Sequence, residues 1–197
     1  MLEEVENQKY LGDILTADAT NTKNITQRKA KGFSIINQIK LILDNGFFGI
    51  FHFEAAVMLR QALFINSILL NSEIWYNVTE LDIQHLETVD NSLLRSILEC
   101  PKFTPVAAMF LELGIIPIRF ILMQRRAIFL HYLLQQKENS LLSQFFHAQK
   151  VTKYKGDWIY LLESSLHIYI SPLTNTMYKL IYHGNSMKKK KKNLTNC

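Results

Sequence analysis

The sequence predicts a mainly α protein that opens on a short strand or hairpin and continues as packed helices. Three observations predict it. Apolar residues recur at three- and four-residue intervals through most of the chain, the spacing of one helix face. Only Lys9 to Leu15 reads as β-compatible, so fewer than ten residues need be strand. The 197 residues are 48% hydrophobic, 11% aromatic and 20% charged, with 7 Gly and 4 Pro. That balance can bury a core, and it excludes a disordered, collagen-like or disulfide-rich chain.

The elements follow in order. Gly12 interrupts the Lys9 to Leu15 segment and marks a bulge or a close approach of backbone. Thr16 to Thr22 is small-residue loop, with Asn21 or Thr22 as N-cap of the first helix. Ile25, Gly32, Ile36, Ile39 and Leu43 share one face of that helix, and Asn45-Gly46 supplies a C-cap. A second helix is predicted from Phe53 to about Trp75, buried centrally because Val57, Leu59, Leu63, Phe64, Ile68 and Leu70 nearly encircle it. Thr79 and Asp82 form a capping box ahead of the stripe Leu86, Val89, Leu93 and Ile97, which stops before Pro101. Thr104-Pro105 starts a short helix that Gly114 and Pro117 end. Arg119 to Gln136, Leu141 to Ala148, Asp157 to His167 and Leu173 to Tyr182 complete the helices.

Charge is informative through its placement. Twenty-two Lys+Arg less the five of the run Lys188 to Lys192 leave 17, against 17 Asp+Glu, so the body is neutral and the whole net charge of +5 is that run. Five basic residues and no acid lie between Asp18 and Asp44, six acids and Arg95 alone lie in Gln61 to Glu99, and seven basic residues face Glu138 in Arg119 to Lys155. The run itself reads either as a nuclear-localisation or phosphate patch or as translated A-rich sequence. Met1 to Glu6 has no apolar h-region, and the greasiest windows carry Glu54 and Arg60, or Glu112 and Arg119. Neither a signal peptide nor a membrane span is predicted, and the expectation is an intracellular, soluble chain with no membrane partner.

No phosphate-loop, dinucleotide, nucleophile-elbow or zinc-protease motif occurs. The six histidines have no metal-ligand spacing to a Cys or another His, and Cys100 and Cys197 make no framework, so no cofactor and no metal are expected. Asp13 and Asp18 fit a turn-flanking pair better than a metal clamp.

A resemblance adds to this. Lys9-Tyr10-Leu11-Gly12 resembles the motif after the catalytic palm in reverse transcriptases of non-LTR (LINE-type) retrotransposons, where a hairpin leads into the helical thumb and positions the primer end. Ile25, Arg28, Ala30 and Lys31 sit where those proteins carry a basic amphipathic helix. Leu69 to Trp75 is similar to their "LLYGSEIW"-type segment, with Asn71 replacing the Tyr-Gly pair, and Leu111 to Ile118 to their "ELGILPI"-type segment, followed by Arg125-Arg126. Gln149 and Gly156-Asp157-Trp158 look like the tail pattern of some elements, so the likeness spans residues 9 to 182.

The resemblance implies a hairpin remnant over 1–20, a thumb-like helical bundle over 21–100, post-thumb helices over 101–187 and a lysine-rich disordered tail over 188–197. It implies no enzyme, because the family's two metal ions are held by an aromatic-Ala-Asp-Asp strand and a further Asp, and this chain has no Asp-Asp pair. What remains is a truncated element whose one activity is weak, sequence-nonspecific binding of RNA or an RNA–DNA hybrid. The phosphate contacts would fall to Lys23, Arg28, Lys29 and Lys31, with Arg119, Arg125 and Arg126 and then Lys150, Lys153 and Lys155 as further bands, and with Lys9 and Tyr10 near a primer end. Against this stands a plainer reading: the first-helix cations are a solvated face, and Arg125 and Arg126 pair with the acids of Gln61 to Glu99. A second function, a helical protein-interaction module, follows from Phe47, Phe48, Phe51 and Phe53, which form either a partner site or a core cluster under Asn45-Gly46.

Overall fold

The computed structural model describes residues 7–10, 12–17, 20–46, 52–75, 77–137, 139–152, 158–160 and 162. The chain opens with β1 (Asn7–Tyr10) and β2 (Asp13–Thr16), antiparallel with Lys9 opposite Ile14 and Tyr10 opposite Asp13. The expected strand is thus a hairpin, and Gly12 lies in its turn. There φ is +94°, where a side chain is strained, and an added Cβ would lie 3.4 Å from Leu70 Cδ2.

Helix α1 (Thr22–Asn45) buries Ile25, Gly32, Ile35, Ile36, Ile39 and Leu43, the predicted stripe with Ile35 added. Asn21 is its N-cap residue, yet its side chain makes no capping bond. The expected glycine C-cap is also corrected in mechanism. Gly46 is extended (φ −89°, ψ 141°), so the helix stops without a left-handed residue, and Asn45 Nδ2 donates to the Leu41 carbonyl at 2.8 Å.

Next come α2 (His52–Leu59), a π-helical segment (Arg60–Ile65) and α3 (Asn66–Ile68), which run on without a break. The predicted helix to Trp75 therefore ends early, at Ile68. Two arginines explain the stop. Arg28 Nη1 donates to the Ser67 and Ile68 carbonyls at 2.9 and 3.2 Å, and Arg125 Nη1 donates to the Leu69 carbonyl. Cationic donors on a helix C-terminus satisfy carbonyls that another turn would otherwise use. Asn71 then turns the chain at φ +57°, a region asparagine tolerates. The expected all-round burial is corrected too: Ala56, Phe64, Ile65 and Ile68 are buried, while Leu63 and Leu70 face outward.

Helix α4 (Glu80–Leu98) begins with the predicted box: the Thr79 hydroxyl accepts from Asp82 N, and the Asp82 carboxylate accepts from Thr79 N at 2.9 Å. Short α5 (Val106–Glu112) ends before Gly114 at φ +61°, and α6 (Ile118–Leu134) starts directly after Pro117. Helix α7 (Leu141–Thr152) runs four residues beyond its predicted end. Residues 158–160 and 162 are helical, inside the predicted Asp157 to His167 segment; the predicted helix at Leu173 to Tyr182, Phe47, Phe48, Phe51 and the lysine run lie outside the described residues. Phe53 is exposed, so it does not join a core under Asn45-Gly46.

The main core lies between α1, the 52–68 helix and α4, and it continues past residue 100 to take in Ile118 and Leu122. A second cluster joins Leu130 and Leu133 of α6 to Phe146 of α7 and to Trp158, Ile159 and Leu162. Gly32 sets how closely α1 meets its neighbours. A Cβ there would fall 2.7 Å from Val89 Cγ1 and 2.8 Å from Ile68 Cδ1, both on fully buried residues. Gly32→Ala is expected to lower stability by about 1–2 kcal/mol, overpacking outweighing the helix propensity alanine brings. Urea unfolding midpoints measure this, and an unchanged or higher midpoint would show that Ile68 and Val89 yield freely.

Candidate nucleic-acid interface

Asp13 fastens the hairpin to α1 and to the chain that follows α3. Asp13 Oδ1 accepts from Arg28 Nη2 at 2.5 Å, Asn24 Nδ2 at 3.0 Å and Trp75 Nε1 at 3.3 Å, and Oδ2 accepts from Asn71 Nδ2 at 2.8 Å. Arg28 also stacks over the Trp75 ring, 5.0 Å from its centroid. Burial pushes the Asp13 carboxyl up, but the hydrogen bonds from Asn71, Arg28 and Asn24 and the Arg28 charge outweigh it and hold the group below its ordinary value. Both oxygens are occupied by donors, so Asp13 is no metal ligand in this arrangement, and Asp18 lies outside the described residues.

The hairpin held in this way presents β1 outward. Lys9 and Tyr10 are exposed, Tyr10 at 62%. Lys23, in the first turn of α1, donates from Nζ to Asn7 Oδ1 at 2.9 Å, so it stands beside β1. Lys31 is exposed two turns further along, about 12 Å from Lys23 at 1.5 Å per residue. Lys29 is half-buried, and Phe33 near it is 42% exposed. Among the described residues none of these four lysines forms an ion pair.

Two expected contacts, Arg28 and Arg126, are corrected. Arg28 is 4% exposed and works inside the fold. Arg126 is 5% exposed; its Nη2 donates to the Trp75 carbonyl at 2.8 Å, its Nε meets no partner among the described residues, and burial draws the guanidinium down to about 10. Arg125 is half-buried, with Nη2 on Asn66 Oδ1 at 2.9 Å as well as Nη1 on Leu69 O. The plainer alternative is corrected at the same positions, since among the described residues neither Arg125 nor Arg126 meets a carboxylate. Glu80, Glu87 and Asp90 of α4 are taken by other arginines. Arg119 bonds Glu80 at 2.6 Å and Glu87 at 2.8 Å, and its hydrogen bond holds the Glu80 carboxyl below its ordinary value against slight burial. Lys150 is half-buried, and Lys153 and Lys155 lie outside the described residues.

The Asp13 network was missed in the sequence, although a signal for it exists. Asn24 and Arg28 fall on the buried stripe of α1 with Ile25, Gly32 and Ile35, and a polar pair on an apolar face demands a partner. Among the described residues no group of three His, Cys, Asp or Glu side chains is placed to hold a metal ion, and no helix is long and apolar enough to cross a membrane. Cys100 is half-buried, its sulfur 3.5 Å from Met109 Sδ. Compared with known proteins, the chain matches no family model, no curated sequence and no solved structure.

Proposed function

We propose that the chain is a non-catalytic, thumb-like part of a non-LTR retrotransposon reverse transcriptase, and that it contributes sequence-nonspecific contact with RNA or an RNA–DNA duplex. One observation carries the reading: exposed Lys9 and Tyr10 lie on β1, beside which Lys23 stands, and exposed Lys31 lies further along the same helix, which has no acid before Asp44. Cations grouped this way neutralise phosphates and release counterions, a source of affinity without sequence discrimination. Tyr10 and Phe33 add exposed rings on which a base can stack. No chemical step is assigned. Two-metal phosphoryl transfer needs at least two convergent carboxylates, and the one described carboxylate of the hairpin, Asp13, is fully hydrogen-bonded.

Binding of the purified chain to an RNA–DNA duplex is expected to weaken linearly in log salt, with a slope of about −3 to −4 for four phosphate contacts. Replacing Lys9, Lys23 and Lys31 together by alanine is expected to reduce that slope by about 2–3. Absence of affinity at low salt, or loss of all of it on deleting Lys188 to Lys192 alone, would overturn the reading.

A second reading, a helical protein-interaction module, is favoured by apolar side chains in water: Phe103, Leu111 and Met58 are 87%, 82% and 71% exposed. It differs in its response, since it gives concentration-dependent association that salt leaves unchanged.

A further inference from the structure

Helix α2, the last residue of α4 and the end of α5 border an open groove of about 370 Å³. Val57, Leu98 and Leu113 are half-buried in it, while Phe53 and Met58 stand 51% and 71% exposed. Apolar side chains held in water around a concave surface gain by being covered. Met58 is unbranched and adapts its shape to what enters. Two acids share the groove with these side chains: Glu54, in the first turn of α2, and Glu112, the last residue of α5, both exposed.

We propose that this groove docks a basic amphipathic helix of a partner protein, one whose apolar anchors are flanked by lysine or arginine. Charge complementarity commits it to that occupant. Two exposed carboxylates in one groove attract cations and repel phosphates, so they select against a nucleic-acid backbone and against an acidic peptide. The walls select a helix. Phe53, Glu54, Val57 and Met58 fall at i, i+1, i+4 and i+5 on one side of α2, a ridge that the anchors of a second helix at i, i+3, i+4 and i+7 can interleave. An extended peptide docks instead by pairing with a sheet edge, whereas helices border this groove. The apolar lining supplies the affinity, and the acids choose the partner. This deepens the interaction-module reading by giving its partner a chemistry, and it rests on that reading.

The test titrates the full chain into a labelled synthetic helix of about 16 residues, with leucine at i, i+3, i+4 and i+7 and lysine flanking them. Its twin carries glutamate in place of each lysine, and a third peptide carries a central proline. The lysine helix is expected to bind about tenfold more tightly than its glutamate twin, and the proline peptide about tenfold more weakly than the lysine helix. Glu54→Lys together with Glu112→Lys is expected to reverse the charge preference, and Met58→Asp to weaken both helices about tenfold. The charge reversal changes two exposed side chains, so its unfolding midpoint should stay near the parent's, and it decides the matter even if Met58→Asp fails to fold. A preference that the reversal leaves in place, or a proline peptide that binds as well as the lysine helix, would overturn the proposal. Failure of the module reading looks different, since then neither helix binds and the proposal falls with it. Lysine and glutamate helices that bind alike would leave the module standing and overturn the acid-lined groove alone.

Discussion

Replacing Arg60 with leucine is expected to cost the fold about 3–5 kcal/mol, the range for removing one partner of a buried ion pair. Arg60 Nε and Nη2 hold Asp90 at 2.8 and 2.7 Å, Nη2 also reaches the Ile116 carbonyl at 3.2 Å, and the two side chains are 3% and 0% exposed. Burial raises the Asp90 carboxyl above its ordinary value even with Arg60 beside it. Without Arg60 it rises further, and the sign of the pH response follows. An acid whose folded value lies above its unfolded one favours the fold most when protonated, so that advantage is lost as pH rises through the shifted value. Arg60→Leu should therefore be more damaging at pH 7 than below pH 4. The double variant Arg60→Leu, Asp90→Leu should recover to within about 1–2 kcal/mol of the parent, because an apolar pair of similar volume commonly replaces a buried ion pair with little loss. Denaturant unfolding of these three proteins and of the Asp90→Leu single variant completes the cycle. A single-variant cost under about 1 kcal/mol, the range of exposed pairs, would refute it.

The second large effect is expected at Asp13. Asp13→Ala removes the acceptor of four donors and leaves Arg28 buried with only neutral acceptors: the carbonyls of Ser67 and Ile68 and the Asn24 side chain. About 3–4 kcal/mol is expected, again the cost of orphaning a buried charge. The pH sign here is opposite to that of Asp90. Asp13 is held below its ordinary value of 3.8, so its contribution is complete above that pH and is lost as pH falls through the depressed folded value. Asp13→Asn should accordingly be less stable at neutral pH yet lose less than the parent between about pH 4 and pH 2. Trp75 touches this carboxylate, so its fluorescence follows the transition directly. Equal acid sensitivity in parent and variant would exclude Asp13 as the group responsible.

These two networks also mark where sequence reading stopped. The capping box at Thr79 and Asp82 spans three residues, and the α4 stripe of Leu86, Val89, Leu93 and Ile97 is a local period, so both were legible. Arg60 and Asp90 are thirty residues apart, Asp13 and Asn71 fifty-eight, and nothing in either local window selects the partner. The second helix was misjudged for a related reason. The π-helical segment Arg60–Ile65 slips the angular phase of the side chains, so one buried face written across the slip reads as an apolar ring. The candidate interface divided along the same line. Lys9, Tyr10, Lys23 and Lys31 lie off the apolar stripe and emerged exposed, whereas buried Arg28 meets carbonyls where the 52–68 helix ends and buried Arg126 meets the Trp75 carbonyl, partners that are distant in sequence.

The buried charges have a colloidal consequence. Among the described residues they are three arginines, Arg28, Arg60 and Arg126, and three aspartates, Asp13, Asp82 and Asp90. Burying equal numbers takes nothing from the balance of 17 and 17 that the sequence carries up to Met187. A near-isoelectric particle with side chains such as Phe103 and Leu111 in water has almost no long-range self-repulsion to keep copies apart. Lys188 to Lys192 then carry the whole of it, and a Debye length of about 8 Å at physiological salt confines even that repulsion to the vicinity of the run.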